Sequence, residues 1–431
     1  VLKNFSPIVT LPRDGVLRLH YAMTGGAAVL DADLDGDLDI FLTGTSAQTP
    51  QTYWEQIAPL VFENRTAGSG LESSAFGVGA TAGDVDGDGD SDLVVTGFEG
   101  TVLYRSQGDG TFILDQSFQA ENCASSATFI DFDLDGDLDL YICRYANIAL
   151  NPDKECRDAA GRLEFCGPTA YPPLHDLLYA NNGDGTFTDV THNSGILSYH
   201  PTQTACWADF NLDGYLDLFI GNESNSKWQD VISKNRVGDG NAHLSELYLN
   251  NGDGTFTEIS QKLGIKIDAF VKGATWGDIN NDGLPDLFVS INGAPNKLYV
   301  NKGGSSINDW YFVEQAEESG VQKPLFSFPT WFWDYDNDGW LDLLVLSYDF
   351  RNFDNLGSDV ASEYLNLSFQ SEISRLYRNN RDGTFSDITE LTQLDKAFYS
   401  MGCNFGDLDN DGWLDFYVGT GAPDLRSVVP N

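Results

Sequence analysis

The chain has 431 residues, with 65 aspartates and glutamates against 24 lysines and arginines, for a formal net charge of −41. A negative field of that size repels phosphate backbones and anionic lipid, which argues against nucleic acid and acidic membranes as partners. No apolar run reaches the roughly 18 residues that a spanning helix needs.

In chain order, Val1 opens the sequence with no signal-like segment ahead of it, as in a processed or trimmed chain. The first strand-like stretch is Phe5-Ser-Pro-Ile-Val9. A nine-residue acidic pattern then begins at Asp31-Ala-Asp-Leu-Asp-Gly-Asp-Leu-Asp39 and recurs seven times. Positions 1, 3, 5 and 9 are Asp31, Asp33, Asp35 and Asp39; Asp84, Asp86, Asp88 and Asp92; and Asp131, Asp133, Asp135 and Asp139. The later copies hold Asp209, Asn211, Asp213 and Asp217; Asp278, Asn280, Asp282 and Asp286; Asp334, Asp336, Asp338 and Asp342; and Asp407, Asp409, Asp411 and Asp415. Position 6 is always glycine.

Oxygen side chains at alternate positions around a tight glycine turn suit a hard cation, and calcium takes about six to eight oxygen ligands. Clustered carboxylates repel one another without a cation. About seven structural Ca²⁺ ions are therefore expected, with the two asparagine-bearing loops binding more weakly. An EF-hand is excluded, because the twelfth-position glutamate and the flanking helices are missing.

Each loop sits in a longer unit. Five residues before its first aspartate stand Gly26, Gly79, Ser126, Thr204, Gly273, Pro329 and Gly402 in turn, small residues suited to a crowded first strand. Pro329 marks an expected irregularity. After the loop comes an apolar second strand, as in Leu138-Asp-Leu-Tyr-Ile142. A third strand follows at Leu103-Tyr104, Leu178-Tyr179, Leu247-Tyr248, Leu298-Tyr299 and Leu376-Tyr377. An Asp-Gly-Thr-Phe hairpin turn closes several copies. The fourth strands open on Phe62, Phe112, Phe187, Phe256, Phe312 and Phe385.

The last repeat has a loop and second strand but no such ending, while Phe5–Val9 has no strands before it. The expected architecture is therefore an all-β, seven-bladed β-propeller over residues 1–431, closed by the N-terminal strand. For the last blade's third strand, the sequence leaves two options: Arg426 to Val429, or a segment lost with a longer C-terminus.

Three insertions interrupt the repeat, at 144–176, 224–246 and 348–374, each joining a second strand to a third. They belong at the end of each sheet opposite the aspartate loops. Long loops on a rigid scaffold are where recognition concentrates, so Tyr145, Tyr171, Trp228, Phe350, Arg351, Phe353 and Tyr364 are the candidate partner-binding residues. His200, Lys272 and Tyr399 could add to that face. Cys156 and Cys166 flank a short excursion and are expected to pair. Cys123 and Cys143 lie almost symmetrically about the third loop and are a second candidate disulfide, whereas Cys206 and Cys403 read as buried thiols. Trp207, Trp276, Trp333, Trp340 and Trp413 read as packing between blades. The five histidines share no metal spacing, and no catalytic triad is legible.

The run of strand, Asp-x-Asp-x-Asp-Gly-x-x-Asp loop, strand and Leu-Tyr-x-Asn-Asn-Gly-Asp-Gly-Thr-Phe resembles the FG-GAP/VCBS repeat of integrin-α-type propellers. The long form, with Lys154-Glu-Cys156 to Phe165-Cys-Gly-Pro168, is similar to the cartilage acidic protein-like family. The resemblance covers essentially the whole chain. It implies calcium in the loops and extracellular recognition of the cell-adhesion kind. The resulting reading is a secreted or periplasmic, calcium-stabilised module that binds an extracellular protein or surface glycan, or assembles into a larger complex, without catalysis. A polysaccharide lyase or hydrolase and a multivalent lectin are the alternatives.

Overall fold

A computed structural model of the chain describes residues 25–420, apart from 45–49, 119–122, 152, 158–162, 165, 225–241, 397–399 and most of 350–370. The described residues fall into two compact units. The first runs to Tyr199 and includes Gly402–Gly419, and the second is His200–Met401. The chain is an all-β propeller built from antiparallel four-stranded blades.

Blade 2 shows the plan. Its strands Gly77–Gly83, Asp92–Gly97, Thr101–Ser106 and Phe112–Phe118 pair in sequence order, each with the next. The aspartate loop joins the first strand to the second, so position 9 is the first residue of the second strand. That strand is buried along its whole length, as are Asp139–Ala146, Asp217–Asn222, Asp286–Ile291 and Asp342–Ser347. A strand covered on both faces needs apolar residues at successive positions, which explains why these segments read as continuous runs rather than alternations.

The cores lie between successive blades. In the first unit, Phe41, Tyr53, Leu93 and Phe112 join blades 1 and 2, and Val94, Leu103, Leu140 and Tyr179 join blades 2 and 3. In the second unit, Phe210, Phe219, Leu287 and Phe312 join blades 4 and 5, and Phe288, Leu298, Leu343 and Phe385 join blades 5 and 6. Trp276 stacks on Phe210 at an interplanar angle of 12°, so this tryptophan does pack between blades. Trp413, by contrast, is exposed.

The small residues of the first strands have the role their size suggested. A Cβ on Gly26 would lie 2.4 Å from the Val78 carbonyl of the next blade, and one on Gly273 would lie 2.8 Å from Phe328 O. Neighbouring first strands thus approach through their backbones. The ladders of blades 2, 4 and 5 also carry a bulge here, at Val78, Gln203 and Lys272, and that of blade 6 carries one over Phe328 and Pro329. The irregularity expected at Pro329 is a bulge one residue wider than the others.

The count of seven complete blades is corrected. The described residues form six four-stranded blades, and the seventh repeat is seen as a two-stranded sheet, Ser400–Gly406 with Asp415–Thr420. Among the described residues the seventh repeat supplies a loop and two strands. Phe5–Val9 and Arg426–Val429, the segments expected to complete it, lie outside the described residues, and the expected closure lies there with them. The last repeat does bond to the first blade within the first unit: Gln56 Nε2 donates to Leu408 O at 2.8 Å and Asn404 Nδ2 to Ala27 O at 3.2 Å.

Candidate functional site

All seven aspartate loops fold alike because their own backbone amides are gathered by their own carboxylates. The position-1 carboxylate accepts the N–H of the position-6 glycine in every copy, at 2.7–3.1 Å. The position-5 carboxylate accepts the N–H of position 7 in every copy, at 2.9–3.0 Å. These are Asx turns. The glycines have φ of 85–97°, a region that a Cβ disfavours.

Position 4 was not singled out from the sequence, yet it too is left-handed throughout. Its occupants are Leu34, Gly87, Leu134, Leu212, Asn281, Asn337 and Asn410, with φ between 52° and 74°. Leucine in this region costs about 1–2 kcal/mol. The three leucines are also about half exposed.

Position 9 does more than face the loop. One oxygen of Asp92 accepts Val85 N–H from inside the loop (3.2 Å) and the other accepts Ser106 N–H from the third strand (2.8 Å). The same pair of bonds recurs at Asp39, Asp139, Asp217, Asp286 and Asp342. Burial pushes these carboxyls up, to about 6 at Asp39 and Asp342, about 7 at Asp139 and Asp286, and about 8 at Asp217, while the backbone donors pull the other way. A nearby cation would favour the anions again.

The position-2 carbonyl of a loop is captured by the following blade. Asn181 Nδ2 donates to Val85 O (2.7 Å), Asn301 to Phe210 O (2.8 Å) and Asn379 to Ile279 O (2.7 Å). Gln56 does the same to Leu408 O, and in blade 2 the backbone amide of Gly110 reaches Ala32 O at 2.9 Å. The signal for this latch was visible in the sequence as the asparagine of Leu-Tyr-x-Asn.

Carboxylate oxygens converge to within 4.8 Å of one another in five loops. The groups are Asp31, Asp33 and Asp35; Asp84, Asp86 and Asp92; Asp131, Asp133 and Asp139; Asp334, Asp336 and Asp342; and Asp407, Asp409 and Asp415. In four loops a buried carboxylate oxygen has no hydrogen-bond partner: Oδ1 of Asp31, Asp131, Asp336 and Asp409. Such orphans are costly unless something satisfies them. An all-oxygen donor set with bare, buried lone pairs fits a hard divalent cation. Loop 4 differs: Asn211 Nδ2 donates to Asp213 Oδ2 at 2.8 Å, so the amide satisfies a carboxylate of the loop internally.

At the other end of the sheets the first insertion is partly described. Its Cys156–Cys166 disulfide is present, as expected. Cys123 and Cys143, however, form no disulfide. Cys123 pairs in the ladder with Ala146 and Cys143 with Ser126. Three ladder steps of about 3.3 Å exceed the reach of a bridge, about 7 Å between Cα atoms.

Tyr145 and Tyr171 are also corrected as contact residues. They are buried, at 3% and 5% exposure, in a cluster with Cys123, Ile148 and Cys166 that forms the insertion's own core. Trp228, Phe350, Arg351, Phe353, Tyr364 and Tyr399 lie outside the described residues.

Within the second unit the bulged residues meet. Lys272 forms an ion pair with the fully buried Glu223, lies 3.5 Å from Gln203 Oε1, and sits 4.5 and 4.7 Å from the Phe270 and Phe328 ring centroids. A bulge re-aims a side chain in this way. His200 and His243 join at 2.9 Å between Nδ1 atoms, a contact that sequence spacing did not show.

The FG-GAP-like repeat family matches residues 84–142, 167–220, 225–289, 278–345 and 334–418. Human cartilage acidic protein 1 is 22% identical over 96% of the chain, and the mouse protein 21% over 96%. The chain spans 60% and 61% of those two relatives. Among solved structures, an Agrocybe aegerita lectin recognising non-reducing terminal N-acetylglucosamine is 14% identical, with TM-score 0.47, covering 92% of this chain and 86% of its own. Saccharomyces cerevisiae Sqt1 is 10% identical, with TM-score 0.44, covering 96% of this chain and 97% of its own. No helix among the described residues is long and apolar enough to cross a membrane. With the loop, strand and latch recurring through the matched segments, the chain belongs to the FG-GAP-like repeat family.

Proposed function

We propose that the chain is a calcium-stabilised, non-catalytic module that binds an extracellular protein or a surface glycan. The observation that carries the calcium reading is the convergence of three carboxylates in five loops, with a bare buried oxygen in four. Calcium there would neutralise charge that otherwise repels, and would fix the turn between first and second strands. Its role would be structural, because the loop backbones are held from within by their own carboxylates.

Secretion is supported by the Cys156–Cys166 disulfide, which persists in an oxidising compartment, and by the millimolar calcium that extracellular modules of modest affinity require. Recognition belongs at the insertion end of the sheets, where bulges and long connections break the repeat.

The test is a thermal melt with millimolar calcium and with excess EGTA, beside native mass spectrometry of the reloaded protein. Chelation should lower the melting temperature by many degrees, and equal melts would overturn the structural role. A glycan array and a pull-down with the isolated protein would then separate the two partner classes, and turnover of any polysaccharide would defeat the non-catalytic reading.

A further inference from the structure

The seven loops share a pattern but not a third-strand neighbour. By register, the residue after the third-strand tyrosine or its equivalent stands opposite the position-9 aspartate, and it is Glu55, Arg105, Ala180, Leu249, Val300 and Arg378 in blades 1 to 6. Arg105 is the outlier. Its side chain is 13% exposed, and its Nη1 lies 3.2 Å from Asp86 Oδ2 and 3.1 Å from Asp92 Oδ2, the position-3 and position-9 carboxylates of loop 2. Nε is held by Asp115 Oδ2 at 3.1 Å, and Nη2 donates to the Gly185 carbonyl of the blade 3 hairpin. Every nitrogen of the guanidinium is therefore engaged.

A second observation agrees. Loop 2, like the asparagine-bearing loops 4 and 5, has no partnerless buried carboxylate oxygen, whereas the other four all-aspartate loops each have one. Asp84 Oδ1 accepts Gly87 and Asp88 N–H at 2.8 and 3.2 Å, and Oδ2 accepts Gly89 N–H at 2.9 Å.

We infer that Arg105, rather than a metal ion, is the resident cation of loop 2, so that this loop is charge-neutralised by its own chain. The inference rests on the calcium reading only for the contrast with the other loops. A fixed guanidinium presents its donors in a rigid fork that matches carboxylate oxygens, and a divalent ion entering the same space would meet its positive charge.

Blade 6 sets the limit. Arg378 Nε lies 3.3 Å from Asp336 Oδ2 and Arg381 pairs with Asp338, but these arginines are 49% and 50% exposed. Exposed pairs are weak and screened, and Asp336 Oδ1 stays bare beside them. An ion can displace those arginines, whereas Arg105 is buried and tied to a second blade.

The test counts ions and measures metal-free stability. After chelation and reloading with calcium alone, Arg105→Gln should carry one more ion per chain than the unaltered protein by native mass spectrometry. Ala180→Arg, which places the same group beside loop 3, should carry one fewer. In excess EGTA, Arg105→Gln should lose several degrees of melting temperature and Arg378→Gln almost none. Millimolar calcium should return most of the Arg105→Gln loss.

Equal ion counts in the unaltered protein and a folded Arg105→Gln would overturn the inference. If Arg105→Gln does not fold, the Ala180→Arg count decides, and an unchanged count overturns it. If no protein carries calcium, the calcium reading fails by itself. The EGTA melts then decide the role of Arg105, with equal Arg105→Gln and Arg378→Gln melts refuting it.

Discussion

Replacing Asn301 by alanine should cost the second unit about 4 kcal/mol. The side chain is fully buried and makes four bonds. Nδ2 donates to Phe210 O (2.8 Å) in the preceding blade and to Pro285 O (3.1 Å), while Oδ1 accepts Gly303 N–H (3.0 Å) and Trp310 Nε1–H (2.7 Å). A protein hydrogen bond is worth about 0.5–1.5 kcal/mol net, so four give about 2–6 kcal/mol, and buried partners left unpaired hold the value up.

For a unit of about 200 residues that corresponds to a fall of about 10 °C in melting temperature. Calorimetry at fixed calcium measures it. The control is Ser106→Ala, the same column in blade 2, where Ser106 Oγ accepts only Gly108 N–H and the latch is made by the Gly110 backbone instead. That change should cost about 1 kcal/mol. If Asn301→Ala loses no more than Ser106→Ala, the latch is not what joins the blades.

Leu34→Asn should stabilise the first unit by about 1–2 kcal/mol, because asparagine tolerates the left-handed backbone that leucine resists. Asn281 and Asn410 at the same position also reach the neighbouring loop, with Asn281 Nδ2 donating to Gly339 O at 3.2 Å, so a lower melting temperature would contradict the strain argument. Denatured without reductant, the chain should give four thiols by reagent titration and six after reduction; two before reduction would mean that Cys123 and Cys143 are bridged after all. Lys272→Met should destabilise by about 3–5 kcal/mol by removing the ion-pair partner of the buried Glu223, and adding Glu223→Leu should recover much of it, as expected when a buried ion pair is replaced whole. Urea midpoints would show whether the second substitution adds to the loss or reverses it.

The loops were legible because repetition makes seven weak signals into one strong one, and the backbone hydrogen bonds inside each loop are local. The latch was half legible: the asparagine of Leu-Tyr-x-Asn stood in view, but its target lies about 90 to 100 residues away in the preceding blade. The left-handed position 4 was hidden wherever leucine occupied it, although the mixture of Gly87, Asn281, Asn337 and Asn410 in one column carried the hint.

Cys156–Cys166 could be read from spacing because its loop closes on itself. Cys123 and Cys143 could not, since the bulges between Cys143 and Ala146 set the register, and bulges leave no mark in composition. Tyr145 and Tyr171 were misplaced for a related reason. An aromatic residue in a long insertion looks exposed until the insertion is seen to build its own core. The sixfold count of full blades differs from the sevenfold repeat because a loop and two strands repeat seven times while the ladder needs four strands to finish.

The latch also bears on how the molecule would come apart. Loops 1, 2, 4, 5 and 7 give their second carbonyl to the next blade, so protection against amide exchange should pass between those neighbours and not be set blade by blade. Opening of one blade leaves the carbonyl behind it without a donor and weakens the preceding loop first. Within each unit, exchange should therefore spread backwards from a blade that opens to the loop it latches, in the manner of a nearest-neighbour chain. Because Gln56 of blade 1 holds Leu408 of the last repeat, the fraying of residues 402–419 should follow the integrity of the first blade.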